Sequence, residues 1–267
     1  MKISEVYCKT ALSKSGLINV DYALNPYRGC THDCVYCYAP AILREKRQWG
    51  KFVDVKINMP TVLANEIKKK RRGLVYISSV TDAYQPAEKR YEITRKCLEV
   101  LLKVNFPISI QTKSVLVLRD LDVIKKFSNK DIGFTITTID DDDRKKYEPN
   151  SAPVEEKFNA IKEIKEFGVN TWVFIGPFLP YITDKNDNIE RLINKLAELH
   201  VDYVMIDKLN LRQGVWDRIK FFLSNHYPEL IGKYEEIFFK KSDYYKNVKL
   251  KIVDLCKRNN LNFEFCY

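Results

Sequence analysis

Asn25-Pro26-Tyr27-Arg28-Gly29-Cys30-Thr31-His32-Asp33-Cys34-Val35-Tyr36-Cys37-Tyr38-Ala39-Pro40 places three of the seven cysteines on one short loop, at the spacing C-x3-C-x2-C. No fourth cysteine lies nearby in the chain. Iron–sulfur clusters are held by cysteine thiolates, one per iron in a cubane cluster, so three close ligands leave one iron able to bind another group. Zinc is the competing reading, with His32 completing a Cys3His set. His32 follows Cys30 by only two residues, a poor span for wrapping four ligands tetrahedrally, and structural zinc sites usually draw on two separated ligand pairs. Three buried cysteines with no ligand role are the third reading.

Composition narrows the setting of this loop. A chain of 267 residues, 45% apolar, can bury a substantial core as one domain or as one domain with a small appendage. No apolar run approaches the ~18 residues of a membrane span, and residues 1–10 are too polar for a signal peptide, so a cytoplasmic protein without membrane association is expected. In that reducing compartment the cysteines read as ligands or thiols and not as disulfides. The net charge of +10 is uneven: residues 1–110 carry +9, residues 111–209 carry −3 and the remainder +4. Its steepest cluster, Lys68-Lys69-Lys70-Arg71-Arg72, reads either as an attractor for a phosphate backbone or as ordinary solvation of a helix C-terminus, where cations suit the macrodipole.

Before the loop, strand material is expected around Cys8 and in Gly16-Leu17-Ile18-Asn19-Val20. After it the chain repeats one unit. Helices are expected at 60–72, 87–104, 115–127, 153–167 and 189–199, alternating with strands at 74–79, 108–112, 132–139, 169–175 and 201–206. Strands separated by helices imply parallel crossovers. Counting one strand before the cysteine loop, six strands fit an α/β fold of the open, partial (β/α)6 TIM type better than a closed eight-stranded barrel. This core is assigned to residues 1–207, with a lead-in at 1–19. Residues 208–267, rich in Lys, Tyr and Phe, read as a helical C-terminal extension with helices at 215–224, 230–240 and 244–259 and a terminal strand at 263–265.

In parallel α/β folds the working residues gather at the carboxyl ends of the strands. The stretches there are Ser78-Ser79-Val80-Thr81-Asp82-Ala83-Tyr84-Gln85-Pro86, Gln111-Thr112-Lys113, Thr135-Ile136-Thr137-Thr138-Ile139-Asp140 and Phe174-Ile175-Gly176-Pro177-Phe178-Leu179-Pro180. Hydroxyls after a strand also serve as plain turn or cap residues. Lys113 stands at a helix start, where a cation is unhelpful, which favours a ligand partner for it. Asp140 to Asp143 read as the acid cluster of a helix start and not as a metal site, and His200 as structural.

C-x3-C-x-aromatic-C, here Cys30, Cys34, Tyr36 and Cys37, resembles the cluster loop of the radical S-adenosylmethionine (SAM) superfamily. Asn25 to Cys30, Thr81 to Pro86, Glu148-Pro149 and Gly176 to Pro180 extend the resemblance to the branch similar to spore photoproduct lyase, a DNA-repair enzyme, over roughly residues 20–207. The resemblance implies a 4Fe-4S cluster held by Cys30, Cys34 and Cys37. SAM would be chelated at the open iron and cleaved reductively to a 5′-deoxyadenosyl radical that abstracts hydrogen from a substrate, in a lyase or transferase type of reaction. It implies Tyr36 near the adenine, Lys113 near the methionine carboxylate and Thr135 or Thr137 near the ribose or methionine, with Ser78, Ser79, Thr81 and Asp82 as further cofactor-binding candidates. An external electron donor of flavodoxin or ferredoxin type and a nucleic-acid substrate follow as expected partners. The chain departs from the branch in three places. Val80 stands where spore photoproduct lyase has its hydrogen-donating cysteine, Ser78 to Asp82 replace a common Gly-Gly-Glu, and Asn150 replaces an arginine after Glu-Pro. No catalytic side chain is assigned, and a zinc-stabilised nucleic-acid-binding protein without catalysis is the alternative from another class.

Overall fold

A computed structural model, describing residues 1–185 and 187–267, divides the chain into two compact units. The first contains residues 1–33, 45–134 and 150–171; the second contains residues 34–44, 135–149 and 172–267.

The strands of the first unit are β1 (Lys2–Val6), β2 (Leu12–Lys14), β3 (Tyr22–Leu24), β4 (Tyr27–Arg28), β5 (Phe52–Lys56), β6 (Val75–Ile77), β7 (Ile108–Thr112) and β8 (Lys130–Thr135). β3, β6, β7 and β8 run parallel, with Leu24 opposite Ile77, Ile77 opposite Ile110 and Ile110 opposite Ile132. These side chains are fully buried, as expected of apolar parallel strands covered on both faces. β2 closes one side antiparallel to β3. A separate small sheet pairs β5 with β1 in parallel and with β4 in antiparallel fashion. Between strands run helices Met59–Glu66, which starts with Pro60 in its first turn, and Ile93–Val104, which buries Ile93, Cys97, Leu98 and Leu101 and stops at left-handed Asn105. Helix Val154–Glu166 carries Glu155 and Glu156 in its first turn, where carboxylates suit the macrodipole.

In the second unit β9 (Asn170–Phe178), β10 (Tyr203–Lys208) and β11 (Phe263–Phe265) are parallel in that order. Helices Asp141–Tyr147, Asn188–Glu198, Val215–His226, Ile231–Phe239 and Tyr244–Arg258 pack this unit. The fold is a mixed α/β partial barrel. It contains the six parallel strands expected, β3, β6, β7, β8, β9 and β10, and it is not closed: β2 and β11 each have one neighbouring strand among the described residues.

Several expected elements change. Residues 16–20 form no strand; Ile18 is 85% exposed and Asn19 is left-handed, so this segment turns while β2 and β3 form on either side. The helix expected at 60–72 ends at Glu66, and the basic run falls in the turns that follow. The helix expected at 87–104 breaks at left-handed Glu92 into Glu88–Tyr91 and Ile93–Val104. The one at 115–127 is a 3-10 turn, Val115–Asp120, followed by the short helix Leu121–Ile124. The strand expected at 132–139 ends at Thr135, and the small β1-β5-β4 sheet was not foreseen.

Candidate active site

The cysteine loop begins in the first unit, where its backbone is held by side chains from the segment after β6. Asn25 Nδ2 donates to Ser79 Oγ at 3.3 Å, and its Oδ1 accepts from Val80 N at 3.2 Å. Tyr27 donates its phenol to the fully buried Glu88 carboxylate. Gly29 is left-handed, with φ +87, and a Cβ there would stand 2.4 Å from the Phe52 carbonyl oxygen, so the position requires glycine. Its own carbonyl accepts from Thr81 Oγ1 at 2.8 Å and from Gln85 Nε2 at 3.1 Å. Thr31 N donates to Gln85 Oε1 at 3.1 Å, and Thr31 O accepts from Asn150 Nδ2 at 2.9 Å. Cys30 lies between these contacts, 8% exposed.

Asp82 ties the carboxyl ends of β6 and β7 together. Its carboxylate accepts from Thr112 Oγ1, Lys113 N and Tyr84 N, each at 2.8 Å, and Oδ2 lies 3.3 Å from His32 Nδ1. Burial alone would raise this carboxyl, but His32 and the hydrogen bonds from Lys113 N and Thr112 outweigh it and bring it down to about 2. Ser78 stands apart from its neighbours. It is left-handed (φ +74), an uncommon conformation for a residue with a Cβ, and its buried hydroxyl has no hydrogen-bond partner among the described residues. An orphaned hydroxyl at a strand's carboxyl end suits a polar ligand. The candidates Ser78, Ser79, Thr81, Asp82 and Lys113 therefore share the first unit, at the ends of β6 and β7. Two of them, Thr81 and Asp82, hold protein backbone.

The loop continues in the second unit. Cys37 N donates to Cys34 O at 3.1 Å, Val35 N donates to Tyr147 O at 3.0 Å, and the Arg218 guanidinium donates to the Cys37 carbonyl. Cys34 and Tyr36 are each 7% exposed and belong to an apolar cluster with Tyr147, Leu179, Ile219 and Phe222. Tyr36 donates to Glu148, which is fully buried; burial first, and then the nearby Glu148 and Cys34, hold its phenol well above the usual range. Thr137 Oγ1 lies 3.5 Å from Glu148 Oε1 and 3.4 Å from Tyr147 Oη. Thr135 and Thr137 are both buried in this unit. Asp140 caps helix Asp141–Tyr147 by accepting from Asp142 N and Asp143 N, the helix-start role expected.

The sequence singles out Asn150 only as a departure after Glu-Pro, and the roles of Asn150, Arg218 and Asp207 come from the structure. Asn150 and Arg218 hold loop carbonyls from far away in the chain, and no local pattern announces these roles. Asp207 was findable: it follows the apolar run of β10 at its carboxyl end, and burial pushes its carboxyl up to about 6. Among the described residues no disulfide involves any of the seven cysteines. Cys30 and Cys34 are nearly buried and Cys37 is half-buried. His32 is buried, with Nδ1 3.3 Å from Asp82 Oδ2. Among the described residues no helix is long and apolar enough to cross a membrane.

The family profile of the radical SAM superfamily matches residues 24–196. An uncharacterized protein of Methanocaldococcus jannaschii is 34% identical over 231 residues, covering 86% of this chain and 85% of the relative. A radical SAM Nα-GlyT isomerase of Pseudomonas phage M6 is 26% identical over 183 residues, covering 68% of this chain and 38% of its own length. Among solved structures, spore photoproduct lyase complexed with dinucleoside spore photoproduct has a TM-score of 0.75 at 13% identity, covering 99% of this chain and 82% of that one. Streptococcus suis SuiB bound to S-adenosylmethionine has a TM-score of 0.58 at 14% identity, covering 91% and 49%. At such identities these two share the fold.

Proposed function

The chain belongs to the radical SAM superfamily, whose cofactors are a 4Fe-4S cluster and SAM, and from that premise we propose that Cys30, Cys34 and Cys37 are the cluster ligands of a SAM-cleaving enzyme. Held by these three thiolates, the cluster would supply the one-electron reduction that cleaves SAM for radical chemistry on a substrate. The observation that carries this reading is the set of three thiols on one loop, inside the matched region and bound in no disulfide.

The chain's own residues supply ligation, orientation and exclusion of water. The Ser78 hydroxyl and the Lys113 ammonium are assigned to SAM, with Tyr36, Ser79, Thr135 and Thr137 completing its contacts. Thr81 and Asp82 contribute by fixing the backbone that carries these groups. The near-complete burial of Cys34, Tyr36 and Glu148 provides a dry wall, which limits quenching of a reactive intermediate. Reduction is assigned to an external flavodoxin- or ferredoxin-type donor.

Anaerobically reconstituted protein should contain near ~4 iron and ~4 sulfide per chain, one cubane's worth, and should form 5′-deoxyadenosine from SAM and dithionite. Cys34→Ala should keep the fold, since it removes one small group from an apolar cluster, and should abolish that product. SAM cleavage retained by Cys34→Ala would overturn the ligand assignment; zinc in place of iron would restore the non-catalytic alternative.

The net charge of +9 on residues 1–110 favours a nucleic-acid substrate. Spore photoproduct lyase, which shares the fold, is complexed with a dinucleoside photoproduct, whereas SuiB is bound to a precursor peptide. Binding to DNA or RNA that weakens by orders of magnitude between ~50 and ~200 mM salt supports the nucleic-acid reading, because phosphate contacts release counterions. Affinity indifferent to salt favours a peptide or small molecule.

A further inference from the structure

We infer that Gln85 is a positioning residue for Cys30, and that the segment after β6 serves the cysteine loop as its mechanical support. One carboxamide grips both peptide groups that flank the Cys30 Cα: Nε2 donates to the Gly29 carbonyl at 3.1 Å and Oε1 accepts from Thr31 N at 3.1 Å. Peptide groups are planar, so the direction of a Cα–Cβ bond is set by the two planes that meet at that Cα. Gripping both planes aims the Cys30 side chain without touching its sulfur. Gln85 is itself fully buried, and Thr81 Oγ1 lies 3.2 Å from its Nε2 while donating to the same Gly29 carbonyl. A buried donor and acceptor that find these partners are expensive to leave unmade, which makes the grip directional and stiff. Two further links run in parallel, Asn25 to Ser79 and Val80, and Tyr27 to Glu88. Every second residue from Asn25 to Thr31 thus meets the segment Ser79 to Glu88. Further along the loop Val35 N donates to Tyr147 O and the Cys37 carbonyl accepts from Arg218.

The cofactor consequence rests on Cys30 being a cluster ligand; the geometric grip does not, and the two are tested separately. Gln85→Met keeps the buried volume and removes both hydrogen bonds, and Gln85→Glu keeps the acceptor for Thr31 N while losing the donor to Gly29. In cofactor-free protein, Gln85→Met should speed exchange of the Thr31 amide by about tenfold, the equivalent of one hydrogen bond, and Gln85→Glu should leave it protected. Alkylation by iodoacetamide, located by fragment sequencing, should rise at Cys30 relative to Cys34 and Cys37. In reconstituted protein, Gln85→Met should lose iron to a chelator faster and broaden the resonance of the reduced cluster, while Gln85→Glu, adding a buried negative charge, should lower its midpoint potential. Thr31 exchange and a Cys30-to-Cys34 alkylation ratio unchanged in Gln85→Met would overturn the grip, as would an equal rise at all three cysteines. Wild-type protein that takes up no iron would sink the ligand assignment of Cys30 and, with it, the cofactor consequence, while exchange and alkylation still decide the grip.

Discussion

The two halves of the cysteine loop are held by different physics. Residues 29–33 belong to the first unit, where named polar groups fix the backbone one hydrogen bond at a time: Thr81, Gln85 and Asn150 on Gly29 and Thr31, and Asp82 beside His32. Residues 34–38 belong to the second unit, where Cys34 and Tyr36 sit in an apolar cluster with Tyr147, Leu179, Ile219 and Phe222. A hydrogen-bonded support is directional and fails locally when one partner goes. An apolar cluster is collective and loses stability in proportion to the volume removed. The first half is therefore built for aim, and the second for exclusion of water.

The largest effect should come from breaking the collective half. Phe222 is 4% exposed and meets the Tyr147 ring edge-on at a centroid distance of 6.4 Å. Phe222→Ala should cost about 3–5 kcal/mol, the range for buried aromatic truncation, read as a shift of the urea midpoint. It should also speed alkylation of Cys34 more than that of Cys30. Equal acceleration at both cysteines would mean the halves are not supported separately.

A smaller effect is expected from the polar half. Glu88 is fully buried and accepts from Tyr27, from Thr94 N at 2.9 Å and from Arg119 at 2.7 Å. Glu88→Gln keeps the shape, turns one acceptor into a donor facing these donors and leaves the guanidinium less well matched. The cost should be about 2–3 kcal/mol, that of disturbing a buried charged hydrogen bond. Arg119 retains Asp120 at 2.7 Å, which keeps the loss below that of a fully broken buried pair. A change under about 0.5 kcal/mol, the scale of ordinary surface substitutions, would mean that Tyr27 and the β4 region do not depend on this carboxylate.

The sequence carried the fold through local signals that packing did not override. The strand Ile108–Thr112 and the helices near 153–167 and 189–199 are bounded by glycine, proline or acidic first turns, and they form within a residue or two of expectation. The failures share a cause. Glu92 adopts left-handed backbone that its residue type does not announce, so a helix breaks there, and at Asn19, a type that tolerates this backbone, a turn forms where a strand is expected. β5 reads Phe52-Val53-Asp54-Val55-Lys56, a short alternation, and its pairing with β1 is a contact at a separation of 50 residues. The site divides in the same way. The three cysteines and the residues at the strand ends stand out as candidates because spacing and chain position mark them. The jobs of Gln85, Asn150 and Arg218 do not, because a side chain that holds another segment's carbonyl leaves no mark on its own neighbours.

The smallest and most diagnostic effect concerns how each unit treats a buried acid. In the first unit Asp82 collects three hydrogen-bond donors and His32, and its carboxyl is brought down to about 2. In the second, Asp207 is relieved only by Lys208, through its backbone N at 2.9 Å and its charge, and burial pushes the carboxyl up to about 6. An acid raised in the folded state holds its proton more tightly there than in the unfolded chain, so stability falls as pH rises from about 4 to about 6. The full penalty is then present at neutral pH. Asp207→Asn keeps an acceptor for Lys208 N and removes the charge. It should stabilise the protein by about 1–2 kcal/mol at pH 7.5 after allowance for solvent screening, and the gain should vanish below pH ~4, where both states are protonated. Urea midpoints of wild type and variant across that range read the difference directly. A gain independent of pH would mean that packing beside Gly176, not charge, is the cost at this strand end. A gain that disappears on adding SAM or a substrate would mark Asp207 as a carboxylate the fold keeps under strain until a ligand satisfies it.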